Sequence, residues 1–242
     1  MAIEYDKLNT QSLAKQIAET LRAAILDGRL KVDDRLATEE ELAARFAVSR
    51  PTIREALKRL AAQNLVHSRR GPSGGTFIKR PSEEELRNTL RNATTLMVTL
   101  GEFDIDAITE ARLELESLCL RLAVARREEV HLERMALELA RQREPISDEE
   151  FCASDIRFHR ALVDATANPV LQFNMVTVIE ALQPLMNMIA NRTRERQVIA
   201  DHHGALLVAL RERDGASAEV ALVQLIDYLR LQYREAQRPA LG

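Results

Sequence analysis

Tryptophan is absent from this chain of 242 residues, and cysteine occurs only twice, at Cys119 and Cys152. Neither cysteine belongs to a Cys-x-x-Cys pair, which argues against a disulfide scaffold, a thiolate zinc site and a dithiol redox centre, and both thiols read as packed apolar side chains. Glycine (8) and proline (7) are few, and tyrosine and phenylalanine number 3 and 6, so collagen-like and low-complexity chains are excluded. With 46% apolar and 29% charged residues, the composition is that of a helix-rich globular chain. No apolar run approaches the roughly 20 residues a bilayer-spanning helix needs. The first residues carry Glu4 and Asp6 instead of a basic stretch followed by an apolar core. A cytoplasmic protein without a membrane partner is the expectation.

Lysine also has a limit, since none occurs after Lys79. Residues 1–80 hold 15 Lys and Arg against 10 Asp and Glu, whereas the remaining residues hold 19 against 27. The net charge of −3 therefore hides a basic first third and an acidic remainder, which suits one part facing a polyanion and another facing a different partner. The length is also about what two domains of roughly 100–150 residues would take.

In the basic third, Leu13, Ile17, Leu21 and Ile25 share one helical face, and Gly28 should end that helix. Thr38-Glu39-Glu40-Glu41 has the form of a capping box and starts a second helix with Leu42, Ala43 and Phe46 inward. After Ala47-Val48, Ser49 is a good N-cap, Pro51 is tolerated in the first turn, and Ile53, Ala56, Leu57 and Leu60 form one apolar face. Two short helices joined by a tight turn make a helix-turn-helix. Leu65 to Ser68 and Thr76 to Ile78 flank a glycine-rich tip and read as a two-stranded hairpin. The plan is a winged helix. From Pro81 onward every signal is helical: capping boxes at Ser82 and Ser147, an Asn168-Pro169 break, and apolar positions at helical spacing through Ile108–Val124, Phe151–Leu162, Val170–Leu185, Leu206–Leu210 and Val220–Leu229. The fold class expected is mainly α, with a winged helix-turn-helix domain over 1–80 and an all-helical bundle of six or seven helices over 81–242.

The helix beginning at Ser49 carries Arg50, Thr52, Arg54, Lys58 and Arg59 outside its apolar stripe, with only Glu55 of opposite sign. A helix laid in the major groove needs this arrangement, with its first side chains on base edges and flanking cations on phosphates. The planar fork of Arg50 matches the O6/N7 pair of guanine. Ser49 and Thr52 could hold phosphate at the positive helix N-terminus, and Arg69 and Arg70 would place the wing on the backbone or in the minor groove. The run LATEEELAARFAVSRPTIREAL from Leu36 to Leu57, followed by RRGPSGGTF from Arg69 to Phe77, closely resembles the GntR family of bacterial transcription regulators. That resemblance implies a dimer on a palindromic operator, DNA contacts from Ser49, Arg50, Thr52 and Arg54, and wing contacts from Arg70 and Gly71. Glu40 stands where some relatives place a DNA-contacting arginine, and Ala37 replaces a frequent proline.

In the acidic part, Asp155 and His159 lie four residues apart and so share a helix face, a spacing that can clamp a metal but that more commonly makes a buried Asp–His pair or a surface pair. The order Arg112-x-x-x-Glu116, Asp155-x-x-x-His159, Asn168-Pro169-Val-Leu171, then His203 with Leu206-Leu207 and Arg213-Asp214, resembles the FCD effector domain of the FadR subfamily of GntR regulators. The resemblance implies a divalent metal such as zinc, nickel or a manganese-like ion on one Asp and three His, binding a small organic acid with the help of an arginine. Carried over by position, the ligands are Asp155, His159 and His203, His202 is a non-ligand, and Arg112 binds the effector carboxylate. The fourth ligand position falls on Leu225 or Tyr228, since no histidine follows His203. Two arrangements follow from this departure: a three-ligand site completed by water or effector, or a metal-free domain that senses an acyl-CoA-like ligand. Arg112 has its own alternative, a buried salt bridge with Glu116. Arg192, Arg194 and Arg196 read as a solvated helix start, or else as a cluster facing an anionic ligand or the winged domain, and His67 and His131 as ordinary wing or surface residues. The function expected is a ligand-responsive, dimeric DNA-binding regulator, a repressor released by a small carboxylate. Its rival is a metal-dependent enzyme with a nucleic-acid module, against which stands the lack of any general base, nucleophile or phosphate loop at motif strength.

Overall fold

The computed structural model describes residues 12–71, 74–180 and 193–237. The chain divides into two compact units, Met1–Glu85 and Leu86–Gly242.

The first unit contains α1 (Leu13–Leu26), α2 (Glu39–Phe46), α3 (Arg50–Ala62), β1 (Val66–Arg69) and β2 (Gly75–Ile78). Helix α1 starts where the Ser12 hydroxyl accepts the Lys15 N–H, and beyond its end Gly28 takes a left-handed φ of +72°. In α2 the Thr38 box is complete. Thr38 Oγ1 accepts from the Glu41 N–H at 3.2 Å while Glu41 Oε2 accepts from the Thr38 N–H at 2.8 Å. Thr38→Ala removes half of that exchange, and the unit is expected to lose about 1 kcal/mol in urea unfolding. Ala47 in the left-handed region (φ +52°) turns the chain sharply into α3, which Ser49 caps by accepting the Thr52 N–H. The core is built from the faces the apolar spacing singles out: Ile17 and Leu21, Leu42 and Ala43, then Ile53, Ala56, Leu57 and Leu60, closed by Val66 and Ile78 of the hairpin. The strands pair antiparallel, with Val66 opposite Ile78 and Arg69 opposite Gly75. Gly75 has φ +152°, a backbone conformation that suits glycine, and a side chain there would meet Arg35 Nε 2.7 Å away and push that side chain aside.

The second unit is helical throughout its described residues. After α4 (Glu83–Thr99), which spans the boundary between the units, come α5 (Ile105–Arg126), α6 (Glu129–Gln142), α7 (Asp148–Asp164), α8 (Pro169–Ile179), α9 (Thr193–Glu212) and α10 (Gly215–Gln237). The Ser82 capping box at the start of α4 is complete, with Ser82 N–H on Glu85 Oε2 and Glu85 N–H on Ser82 Oγ. The one expected at Ser147 is only half formed. Ser147 Oγ accepts the Glu150 N–H, but the Glu150 carboxylate goes to Arg141 and Arg157, because guanidinium partners outbid a neutral amide. Asn168 caps α8 through the N–H groups of Val170 and Leu171. Helices α5, α6, α7, α9 and α10 surround one core in which Cys119, Cys152, Phe151, Phe158, Leu206, Leu222, Leu225 and Ile226 are fully buried. Both cysteines are free thiols, as their isolation in sequence suggests. The expected run Val170–Leu185 is helical to Ile179, and its end lies outside the described residues. No helix among the described residues is long and apolar enough to cross a membrane.

Candidate functional site

In the first unit the N-terminal end of α3 is an exposed polar and cationic surface. Ser49 Oγ and Thr52 Oγ1 are hydrogen-bonded to each other at 2.8 Å, and Arg50 beside them is exposed. Arg54 is held by Glu39 of α2, its Nη2 donating at 2.9 Å and its Nε at 3.3 Å, so its guanidinium is pre-positioned instead of sweeping through solvent. Glu40, in the next position of α2, is exposed. On the hairpin, the Arg69 guanidinium covers the Phe77 ring at 4.8 Å and donates to His67 Nε2, and His67 stacks on Phe77 from the same strand pair. Arg70 and Gly71 lie exposed at the wing tip, Gly71 with a left-handed φ of +110°.

The second unit contains a buried polar centre where a helical core would otherwise be apolar. Asp155 and His159 come from consecutive turns of α7 and His203 from α9, and one ligating atom from each lies within 4.8 Å of the others. His203 Nε2 is 3.2 Å from His159 Nε2 and 3.5 Å from Asp155 Oδ1, and His159 Nε2 is 3.9 Å from the same oxygen. All three side chains are buried.

The far side of each imidazole is tied down. His159 Nδ1 contacts Glu116 Oε1 of α5, and His203 Nδ1 is 2.7 Å from Gln142 Oε1 of α6. Both partner atoms are acceptors, which favours a proton on each Nδ1 and turns the two Nε2 atoms toward each other and Asp155. Burial pushes the His203 imidazole well below its ordinary pKa, and the charge of Arg112 adds to that, so it is neutral. Burial also raises the Asp155 carboxyl, against the pull of His159 and Arg112. For Glu116, burial acts upward but the neighbouring His159 and Arg112 outweigh it and hold the carboxyl at about 2. Asp155 Oδ1 has no hydrogen-bond partner despite its burial.

Arg112 enters this centre from α5 and is only 2% exposed. Its Nε donates to Glu116 Oε2 at 2.9 Å, which is the salt bridge its spacing allows, and its Nη2 lies 2.9 Å from His159 Nε2. Neither residue at the fourth ligand position is a histidine. Leu225 is packed in the apolar core, and the Tyr228 ring lies 5.8 Å from the ring of His202, one residue away from the imidazole that does take part. Tyr233, one turn and a half further along α10, is fully buried within the field of Arg112 and Asp155. Its phenol is driven up by burial and stays neutral. Sequence reading passed over Gln142 and Tyr233, which lie in no motif, and cast Glu116 only as a partner of Arg112. Arg196 is not a solvated side chain. It pairs with Asp148, donates to the Ile146 carbonyl and lies over the Phe151 ring, tying α9 to the start of α7. Arg192 and the side chain of Arg194 lie outside the described residues. His131 closes the first turn of α6 by accepting the Glu128 N–H.

Comparison with known proteins now bears on both units. Residues 13–78 match the gntR family of bacterial regulatory proteins, and residues 107–228 match the FCD domain. The chain belongs to the GntR family and carries an FCD domain. It is 31% identical over 205 residues to the HTH-type transcriptional regulator LutR of Bacillus subtilis, covering 82% of this chain and 91% of that protein. It is 28% identical over 219 residues to the HTH-type transcriptional repressor NanR of Cronobacter sakazakii, covering 89% of this chain and 83% of that one. Among solved structures, Streptococcus agalactiae GntR superposes with a TM-score of 0.53 at 26% identity, covering 90% of this chain and 99% of that one. The protein is a ligand-responsive DNA-binding regulator of transcription and not an enzyme.

Proposed function

We propose that this GntR regulator is a cytoplasmic homodimeric repressor released from its operator when the helical domain takes up a small carboxylate. In this reading residues 1–80 bind double-stranded DNA through Ser49, Arg50, Thr52, Arg54, Arg70 and Gly71. Residues 81–242 dimerise and bind effector, with a divalent metal of the zinc, nickel or manganese class on Asp155, His159 and His203. The observation that carries the metal is the convergence of three buried side-chain atoms able to ligate one, His159 Nε2, His203 Nε2 and Asp155 Oδ1. Their separations of 3.2 to 3.9 Å match the edges of a coordination sphere with bonds of about 2.0–2.2 Å. Glu116 and Gln142 orient the two imidazoles from behind. When bound, the metal would polarise the effector and offer it an open coordination position. Arg112 supplies the cationic fork for the carboxylate. Dimerisation is supported by α4, which buries none of its side chains and exposes Leu86, Leu96 and Met97.

A metal-free reading, with an acyl-CoA-like effector, draws on a separate feature. An apolar cavity of about 430 Å³ is lined by Val98, Phe103, Ala107, Ile108 and Val178, from α4, α5, α8 and the turn before α5. The polar centre takes no part in it.

Fluorescence anisotropy on the DNA upstream of the protein's own gene tests the functional reading. Affinity is expected to fall linearly on a log–log plot against salt, and a small carboxylate added with metal should release the DNA. Binding indifferent to salt, or unmoved by every metal and carboxylate pair, would contradict it.

A further inference from the structure

The guanidinium of Arg112 and a metal ion would claim the same lone pair. His159 has one acceptor position, Nε2, because its Nδ1 faces the Glu116 carboxylate. Arg112 Nη2 occupies that position at 2.9 Å, and of the three acceptors this is the only one to which the guanidinium is hydrogen-bonded. Asp155 Oδ1 is left without a hydrogen bond. We propose that Arg112 is an internal plug of the metal centre, so that a divalent cation enters by displacing Nη2 from His159 Nε2, and the displaced guanidinium then becomes the binding group for an oxyanion.

The second half follows from burial. Arg112 is 2% exposed and remains anchored through Nε on Glu116 Oε2, so it cannot carry its freed N–H groups into bulk water. A buried cationic donor that loses its acceptor must find another, and an anion arriving with the metal provides one. Metal and carboxylate therefore assist each other through one residue, and the coupling is reciprocal. This inference rests on the metal reading above and adds to it the order of events and the residue that enforces it.

The test is a titration of chelator-treated full-length protein with Co²⁺, followed by its visible absorption, with and without excess acetate. The wild type is compared with Arg112→Met/Glu116→Gln, which removes the plug while leaving the summed charge of the pair unchanged and keeping an acceptor for His159 Nδ1. His203→Ala identifies the signal that belongs to the trio. The wild type is expected to bind Co²⁺ about tenfold more tightly when acetate is present. The double variant should bind Co²⁺ about tenfold more tightly than the wild type in the absence of acetate and gain nothing from it. Acetate without effect on the wild type would overturn the proposal, whatever the variant's folding. So would a double variant no tighter than the wild type, or acetate tightening both alike, and in each of those cases the metal site itself stands. Failure of both proteins to bind Co²⁺ in a His203-dependent manner would instead remove the metal reading and the plug with it.

Discussion

Replacing Glu116 by leucine is expected to lower the stability of the metal-free protein by about 3–5 kcal/mol, read as a shift of the urea midpoint followed by circular dichroism. Glu116 is fully buried, with one carboxylate oxygen on the Arg112 guanidinium and the other on His159. The apolar side chain would fit the core, but it would leave the buried cation with the His159 imidazole in place of a carboxylate as its hydrogen-bond partner. The penalty comes from that uncompensated charge, since a buried ion pair adds little over apolar packing but breaking one side of it is costly. Arg112→Met/Glu116→Leu should therefore recover most of the loss, in spite of removing more polar contacts than the single substitution. A single variant that loses less than about 1 kcal/mol would mean that the charge of Arg112 is balanced elsewhere, and the electrostatic account of the centre would fail.

The second large effect lies in the other unit. Arg50→Ala is expected to cost about 1–3 kcal/mol of binding on the specific operator and far less on random DNA, because a bidentate contact to a guanine edge discriminates between sequences. Arg50 is exposed at the first position of α3, one residue after the cap, where a groove-reading helix meets base edges. Arg54 makes a useful contrast. Its tie to Glu39 favours a fixed guanidinium, so Glu39→Gln should loosen that side chain without adding a contact. Equal weakening of specific and random DNA by Arg50→Ala would reassign Arg50 to the phosphates, and the base-reading role would pass to another side chain of α3.

The winged unit was legible in the sequence because its determinants are local. Thr38 and Glu41 are three residues apart, Ser49 caps the helix it precedes, and the apolar stripe Ile53, Ala56, Leu57, Leu60 reports its own buried face. The helical unit was legible as helices, although α6 went unmarked because its core positions, Leu132, Met135 and Leu139, follow no capping signal of the usual serine or threonine type. The polar centre was legible only in part. Asp155 and His159 share a helix turn and can be paired by spacing, but His203 reaches them across 44 residues and Gln142 reaches His203 across 61. No periodicity encodes those approaches. The part α10 plays is hidden for a related reason: counting forward from His203 selects Leu225 or Tyr228 as the position that lacks its histidine, while the helix buries Tyr233 in the field of Arg112 and Asp155. Spacing gives the face of a helix, and packing decides which turn of that face meets the site. The direct contact between Arg112 and His159, on which the plug proposal depends, is likewise a product of packing between α5 and α7.

Native mass spectrometry of untagged protein, prepared without chelator, reports oligomer mass and bound metal in one spectrum. The account predicts a dimer carrying one divalent ion per chain, with the ion lost and the dimer kept in His159→Ala, since His159 is a proposed ligand buried on α7 and not one of the exposed apolar side chains of α4. A metal-free dimer, even after purification in the presence of Zn²⁺, Ni²⁺ and Mn²⁺, would contradict it and direct attention to the apolar cavity instead.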